Sequence, residues 1–239
     1  NKYLITGANS FIGKYLINKL DIHAEEYLGI DIESENPKIL SMDIRNNEIE
    51  KYVEKDQIVI HLAAVSNDKS FDQDAKHAKE VNTEATLNLI SICNEKKIKK
   101  FIFASSEWVY GNYNKDIILK ENKIISLSDL SSKYALSKFE IENYILNNNF
   151  SFNYNLLRFA ITYGKRDKKL GLLETLNKHM LNNDSIELNS SLNARKYIHV
   201  KDLVNAIYLI SKKTSSGIYN ICGDELIALR KFVETFELV

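Results

Sequence analysis

The sequence predicts an α/β chain built on a doubly wound, mostly parallel sheet. A short apolar run at residues 2–6 leads through a glycine turn into a helical pattern carrying Leu16 and Leu20. Strand-like runs then alternate with helical periodicity along the chain, which is the pattern of a sheet covered by helices. Residues 57–64 are nearly continuous in apolar side chains, as parallel strands buried on both faces are.

The elements follow in order. After the first strand comes Gly7-Ala8-Asn9-Ser10-Phe11-Ile12-Gly13. Strand, glycine turn and helix form the context of a dinucleotide-binding turn, in which amides at the helix N-terminus face a pyrophosphate. Gly7 suits the tight turn and Gly13 close helix packing, while Ser10 stands where a third glycine is common. The next strand, at 27–30, ends in Asp31, about 20 residues beyond the turn, where an acid can bind ribose hydroxyls. Its charge would repel a 2′-phosphate, which favours NAD over NADP; a plain turn cap is the alternative.

A third strand is expected at 39–44, ending in Asp43-Ile44-Arg45 at the adenine edge of a cofactor. In the run at 57–64, His61 reads as a packed structural histidine, and the small Ala63 and Ala64 would let a cofactor approach the backbone. A long helix is expected over 75–96, with Asn82 its notable polar residue. A buried strand at 100–104 opens into Ser105-Ser106-Glu107-Trp108-Val109-Tyr110-Gly111, beyond a carboxyl end of the sheet where ligands bind. Later strands are expected at 155–160, 197–200 and 217–221, with helices at 171–181 and 203–210.

Composition removes several classes of function. Lys plus Arg equals Asp plus Glu at 32 each, so no bulk charge draws the chain to nucleic acid or anionic lipid. No apolar run approaches a membrane span. Cys93 and Cys222 form no metal-ligand pattern and read as reduced thiols, which suits a cytoplasmic protein. The chain starts without Met at a strand and stops within a helical pattern, so the natural protein is expected to be longer.

Tyr134 and Lys138 lie four apart on one predicted helix face and can point into one cleft. A cation beside a tyrosine favours the phenolate, which can accept and return a proton. Taken alone, the pair is also what an ordinary helix surface shows.

The motifs in order are Thr6-Gly7-x-x-Ser10-Phe11-Ile12-Gly13, Asp31, Asp43-Ile44, His61-Leu62-Ala63-Ala64, Asn82, Ser105-Ser106-x-x-Val109-Tyr110-Gly111 and Tyr134-x-x-x-Lys138. Leu157-Arg158-Phe159, Tyr163-Gly164, Arg195-x-Tyr197-Ile198-His199-Val200-x-Asp202 and Tyr219-Asn220-Ile221 follow. This series resembles the extended short-chain dehydrogenases/reductases, and within them the NAD-dependent nucleotide-sugar epimerase/dehydratase family. The resemblance implies a Rossmann-type cofactor domain over 1–160 and a small, incomplete substrate-binding lobe over 161–239, interleaved with the last sheet elements. It implies Tyr134 as general base, Lys138 lowering its pKa and holding the nicotinamide ribose, and Ser106 bonding the reacting hydroxyl. Gly7, Ser10, Phe11, Ile12, Gly13, Asp31, Asp43, Ile44, Leu62, Ala63, Ala64 and Asn82 would line NAD with Tyr134 and Lys138. Ser66, Ser106, Glu107, Tyr134 and Arg195 would face a nucleotide-diphosphate sugar, Arg195 gripping the diphosphate with its planar fork. No metal is implied, and the family's four-helix interface implies a homodimer.

Three departures bear on the reaction. Ser10 replaces a glycine. Glu107-Trp108 stands where 4,6-dehydratases of the family carry Asp-Glu, leaving one carboxylate where elimination needs an acid and a base. Ile161 and residues 171–174 lack the asparagines that often bind the substrate diphosphate. The expectation is therefore a 4-epimerase acting through a 4-keto sugar. The alternatives are a dehydrogenase, reductase or dehydratase of the same family, and a non-enzymatic dinucleotide sensor.

Overall fold

The computed structural model describes residues 2–66, 68–111, 118–166, 171–182 and 194–237. Strands β1 (Tyr3–Thr6), β2 (Tyr27–Asp31), β3 (Ile39–Ser41), β4 (Ile58–His61), β5 (Lys100–Ser106), β6 (Asn153–Phe159) and β9 (Gly217–Ile221) form one parallel sheet. Their order is β3-β2-β1-β4-β5-β6-β9. The order reverses between β1 and β4, and ligands bind such sheets at the carboxyl ends flanking that reversal.

Alternation along β1 sends Tyr3 and Ile5 to one face and Leu4 to the other. On the first face lie α1 (Phe11–Ile22) and α7 (Val200–Lys212), burying Leu16, Leu20, Leu203 and Ile207. On the second, α4 (Thr86–Glu95) and α5 (Lys133–Leu146) bury Leu89, Ile90, Cys93, Ile141 and Ile145. The core is thus two apolar layers separated by a sheet buried on both sides, the arrangement that near-continuous apolar strands require.

The structure moves several predicted boundaries. The third strand stops at Ser41, because Asn46 N–H turns back to the Asp43 carbonyl (2.9 Å) and Asp43 Oδ1 accepts Arg45 N–H (2.8 Å). The helix expected over 75–96 is α3 (Ala75–Lys79), a π-helical turn Glu80–Ala85, and α4. The helix expected from 203 starts at Val200, where His199 Nδ1 accepts Lys201 N–H (3.3 Å). The strand expected at 197–200 begins at Ala194: β8 (Ala194–His199) joins β7 (Ile161–Tyr163) and β10 (Leu226–Ala228) in a second sheet of order β10-β8-β7. Two short helices, α2 (Asp68–Gln73) and α6 (Leu172–Leu181), and a last one, α8 (Leu229–Glu237), complete the described α-helices. Among the described residues, no helix is long and apolar enough to cross a membrane.

Lys100 opens β5 fully buried, and its ammonium donates to the carbonyls of Ile210 (2.9 Å) and Lys213. These carbonyls lie at the C-terminus of α7, where a cation also complements the helix dipole. Lys100→Met keeps the packing and removes the ammonium donor from both carbonyls, leaving Ile210 O only the Lys213 N–H (3.1 Å). We expect a loss of about 1.5–3 kcal/mol in unfolding free energy, measured by urea denaturation. An unchanged midpoint would contradict this role.

Candidate active site

The glycine turn is built as a cradle. Gly7 has φ +72°, and a Cβ there would lie 2.7 Å from Ala63 N. At Gly13 a Cβ would fall 2.3 Å from Gly7 O, so α1 crosses the turn at a distance only glycine permits. Ser10 caps α1, its hydroxyl accepting Gly13 N–H (3.1 Å). The serine in place of glycine therefore strengthens the helix start. The N–H groups of Phe11 and Ile12 stand in the first turn, where no intrahelical acceptor exists.

Asp31 ends β2 against this turn. Its Oδ2 accepts Asn9 N–H (2.8 Å) and its Oδ1 accepts Ile32 N–H (2.8 Å). Leu62, Ala63 and Ala64 follow β4 beside Gly7 and are partly buried. Asp43 is held by Arg45 (2.7 Å), which keeps its carboxyl below the usual range, and Arg45 also pairs with Glu80 (2.9 Å). Its neighbour Ile44 is buried.

Asn82 sits buried in the π-helical turn. Its Oδ1 accepts Val65 N–H (2.8 Å), and its Nδ2 donates to Val65 O (2.9 Å) and Ser137 Oγ (3.2 Å). Its amide is engaged with the protein, fixing the loop after β4 to α5, and Ser66 stands exposed beside this clamp. A π turn at a functional site is a recurring device, since the extra residue re-aims side chains.

His61 is buried, its Nδ1 2.6 Å from Thr6 Oγ1 and its Nε2 2.9 Å from Thr86 Oγ1. Burial first, then the Lys138 cation, push its pKa from 6.5 down to about 3. It is a neutral structural link. The unfolded chain binds this proton as pH falls through 6.5, while the fold does not until about 3. Stability therefore falls with pH across that window. Thermal unfolding followed against pH is expected to show a shallower decline for His61→Gln, and identical slopes would contradict the assignment.

The catalytic candidates converge above β4 and β5. Ser132 caps α5 by accepting Ala135 N–H (3.0 Å), and Asp68 of α2 accepts both Ser132 Oγ–H (2.8 Å) and Tyr134 N–H (3.0 Å). The Tyr134 ring is walled edge-on by Trp108 (centroids 6.0 Å apart) and Phe71 (6.4 Å). Lys138 is buried one turn further on, its Nζ 4.8 Å from the Phe103 ring centroid and 5.8 Å from that of Tyr134.

One sequence expectation needs correcting. Burial pushes the Tyr134 pKa up to about 12, against the lowering effect of its hydrogen bond with Ser106 and with a further rise from Asp68. Burial likewise lowers Lys138 to about 7, partly opposed by Glu142. Burial outweighs the lowering contribution, so the Tyr134 pKa stands above its ordinary value in this state and not below it.

Behind the pair lies a network that the sequence reading did not identify. Glu142 and Arg158 are both buried and form a bidentate pair, Nη2 to Oε2 2.6 Å and Nε to Oε1 3.1 Å. Glu142 also accepts Ser105 Oγ–H (2.5 Å), and Arg158 Nη1 donates to Tyr110 OH (2.8 Å), which donates to Asn220 Oδ1 (2.8 Å). The available signal was the stripe Tyr134, Lys138, Glu142 at four-residue spacing. Glu107, next to Ser106, has a buried Oε1 that no described protein group hydrogen-bonds. Arg195 on β8 is the cation whose field reaches it. Among the described residues no cluster could hold a metal ion.

The chain as a whole matches known proteins. Residues 3–222 match the model of the NAD dependent epimerase/dehydratase family. The chain is 30% identical to dTDP-D-glucose 4,6-dehydratase of Dictyostelium discoideum, over 93% of this chain and 58% of that protein. It is 29% identical to ADP-L-glycero-D-manno-heptose-6-epimerase of Brachyspira hyodysenteriae, over 81% and 60% respectively. The chain thus spans about three fifths of the length of these two relatives. Its fold superposes on Thermus thermophilus UDP-glucose 4-epimerase, solved with NAD, with a TM-score of 0.86 at 23% identity, over 99% of this chain and 82% of that one. With the family model matching nearly the whole chain, this protein belongs to the NAD-dependent epimerase/dehydratase family, whose cofactor is NAD.

Proposed function

We propose that the protein is a nucleotide-sugar 4-epimerase. The observation that carries this reading is the convergence of Tyr134, Lys138 and Ser106 at the carboxyl edge of the sheet from which the glycine cradle of Gly7 and Gly13 also emerges. NAD supplies the acceptor and then the donor of the sugar's hydride. The N–H groups of Phe11 and Ile12 would hold its pyrophosphate and Asp31 its adenosine ribose, with Asp43, Ile44, Leu62, Ala63 and Ala64 lining the site. Tyr134 removes the proton of the C4 hydroxyl, Ser106 hydrogen-bonds that oxygen, and Lys138 stabilises the phenolate. Arg195 grips the diphosphate, leaving the keto sugar free to turn and present its other face. Returning the proton from Tyr134 completes the inversion.

Trp108 favours epimerisation over 4,6-elimination. It stands edge-on against Tyr134, where a second carboxylate would be needed. We further propose a homodimer formed through the face that carries Lys79 of α3, Thr83 of the π turn, Leu87 of α4, Glu140 and Tyr144 of α5, and its C-cap Asn147.

The test is to incubate the protein and NAD with UDP-, dTDP-, GDP- and CDP-hexoses, following nicotinamide absorbance and resolving products. Epimer formation without net NADH supports the reading. Stoichiometric NADH would instead identify a dehydrogenase, and a 4-keto-6-deoxy product a dehydratase.

A further inference from the structure

Glu107 is a half-buried acid with one fully buried oxygen, and the epimerisation steps above leave it without a task. Its Oε1 is closed off from solvent and no described protein group hydrogen-bonds it. A buried carboxylate oxygen without a donor is costly, and native proteins keep such groups where a ligand or a proton completes them. Its place is specific. It follows Ser106, whose hydroxyl bonds Tyr134, and it precedes Trp108, which walls Tyr134. From β8 it is faced by Arg195 and Tyr197, and beyond β9 by Cys222, which is itself near Lys196, Asp224 and Glu121. Arg195 is the one group in that set that favours its charged form.

We propose that the site takes up its anionic substrate together with one proton, bound from solvent by the Glu107 carboxylate. This rests on the reading that Arg195 holds the diphosphate of a sugar nucleotide. Once Arg195 is engaged by a diphosphate, one of the two phosphate charges cancels the field that favours a charged Glu107, and the other faces it. The carboxylate then exists as the neutral acid, whose O–H donates to an oxygen of the sugar. No bond of the substrate is made or broken in this step. The unliganded group is already poised for it: burial raises its pKa to about 7 against the opposing pull of Arg195. The sugar phosphodiesters do not titrate near neutrality, so a proton taken up belongs to the protein.

The test is calorimetric titration of the NAD-loaded Tyr134→Phe protein, in which turnover heat is suppressed, with UDP-, dTDP-, GDP- and CDP-glucose. Titrations run at pH 8 in phosphate, HEPES and Tris. The dependence of observed heat on buffer ionisation enthalpy is expected to give close to one proton taken up per ligand. Glu107→Gln in the same background should bind with no uptake. In the wild-type protein, KM is expected to rise about tenfold per pH unit above 7.5 and to lose that dependence in Glu107→Gln. Binding without proton uptake, or uptake that persists in Glu107→Gln, would overturn this inference and leave the epimerase reading standing. Binding by none of the four would overturn both.

Discussion

Tyr134→Phe is expected to lower turnover by about 10²–10⁴-fold, the range that a positioned acid/base contributes, while leaving the thermal midpoint within a few degrees. The ring is held by Phe71 and Trp108, contacts that phenylalanine keeps. The pH profile carries a more specific expectation. Burial sets Tyr134 at about 12 and Lys138 at about 7, so the two groups lose their protons in succession, Lys138 first. The singly deprotonated pair includes the form with phenolate beside ammonium, which is the base. Activity should therefore rise as pH increases through about 7, the first of these steps. Lys138→Met removes that step and is expected to move the rise towards the tyrosine value. A wild-type profile flat from pH 6 to 8 would contradict the coupling.

The largest stability effect is expected at Arg158→Met. Removing the guanidinium leaves Glu142 buried with a charge that only Ser105 still bonds, and Tyr110 without its cationic partner. Breaking a buried pair in this way costs about 3–5 kcal/mol, because the remaining charge is desolvated and uncompensated. The double variant Arg158→Met/Glu142→Leu removes both charges and should recover most of the loss. Urea denaturation of the three proteins measures this. A double variant less stable than Arg158→Met would show that the pair contributes more than mutual neutralisation.

Much of the fold was legible because its signals are local. The strand, glycine turn and helix around Gly7 and Gly13 are read from residues 2–20, and β4 and β5 from nearly continuous apolar runs. The Tyr134 and Lys138 pair is likewise local, four residues on one helix. What escaped depends on contacts distant in sequence. The second sheet is assembled from β7 and β10, each three residues long, too short to carry a period. The cap on Tyr134 N–H comes from Asp68, which is 66 residues away. Arg158 was visible as part of a motif, but nothing local in the sequence marks Glu142, 16 residues away, as its partner. The reversal in the pKa of Tyr134 was not legible for a related reason. Spacing shows that an ammonium is near a phenol, whereas burial, supplied by Phe71, Trp108 and the sheet beneath, decides the sign.

The homologous relatives include both an epimerase and a dehydratase, so the fate of the hydride is what separates the readings. In an epimerase it returns to the carbon it left. In a 4,6-elimination it moves from C4 to C6 and a solvent proton enters at C5. The direct test is to give the protein and NAD a nucleotide hexose deuterated at C4 and to map the label in the product by NMR. This account predicts deuterium retained at C4 of the inverted sugar and no solvent proton exchanged into the ring. Deuterium at C6, or its loss from the product, would contradict it.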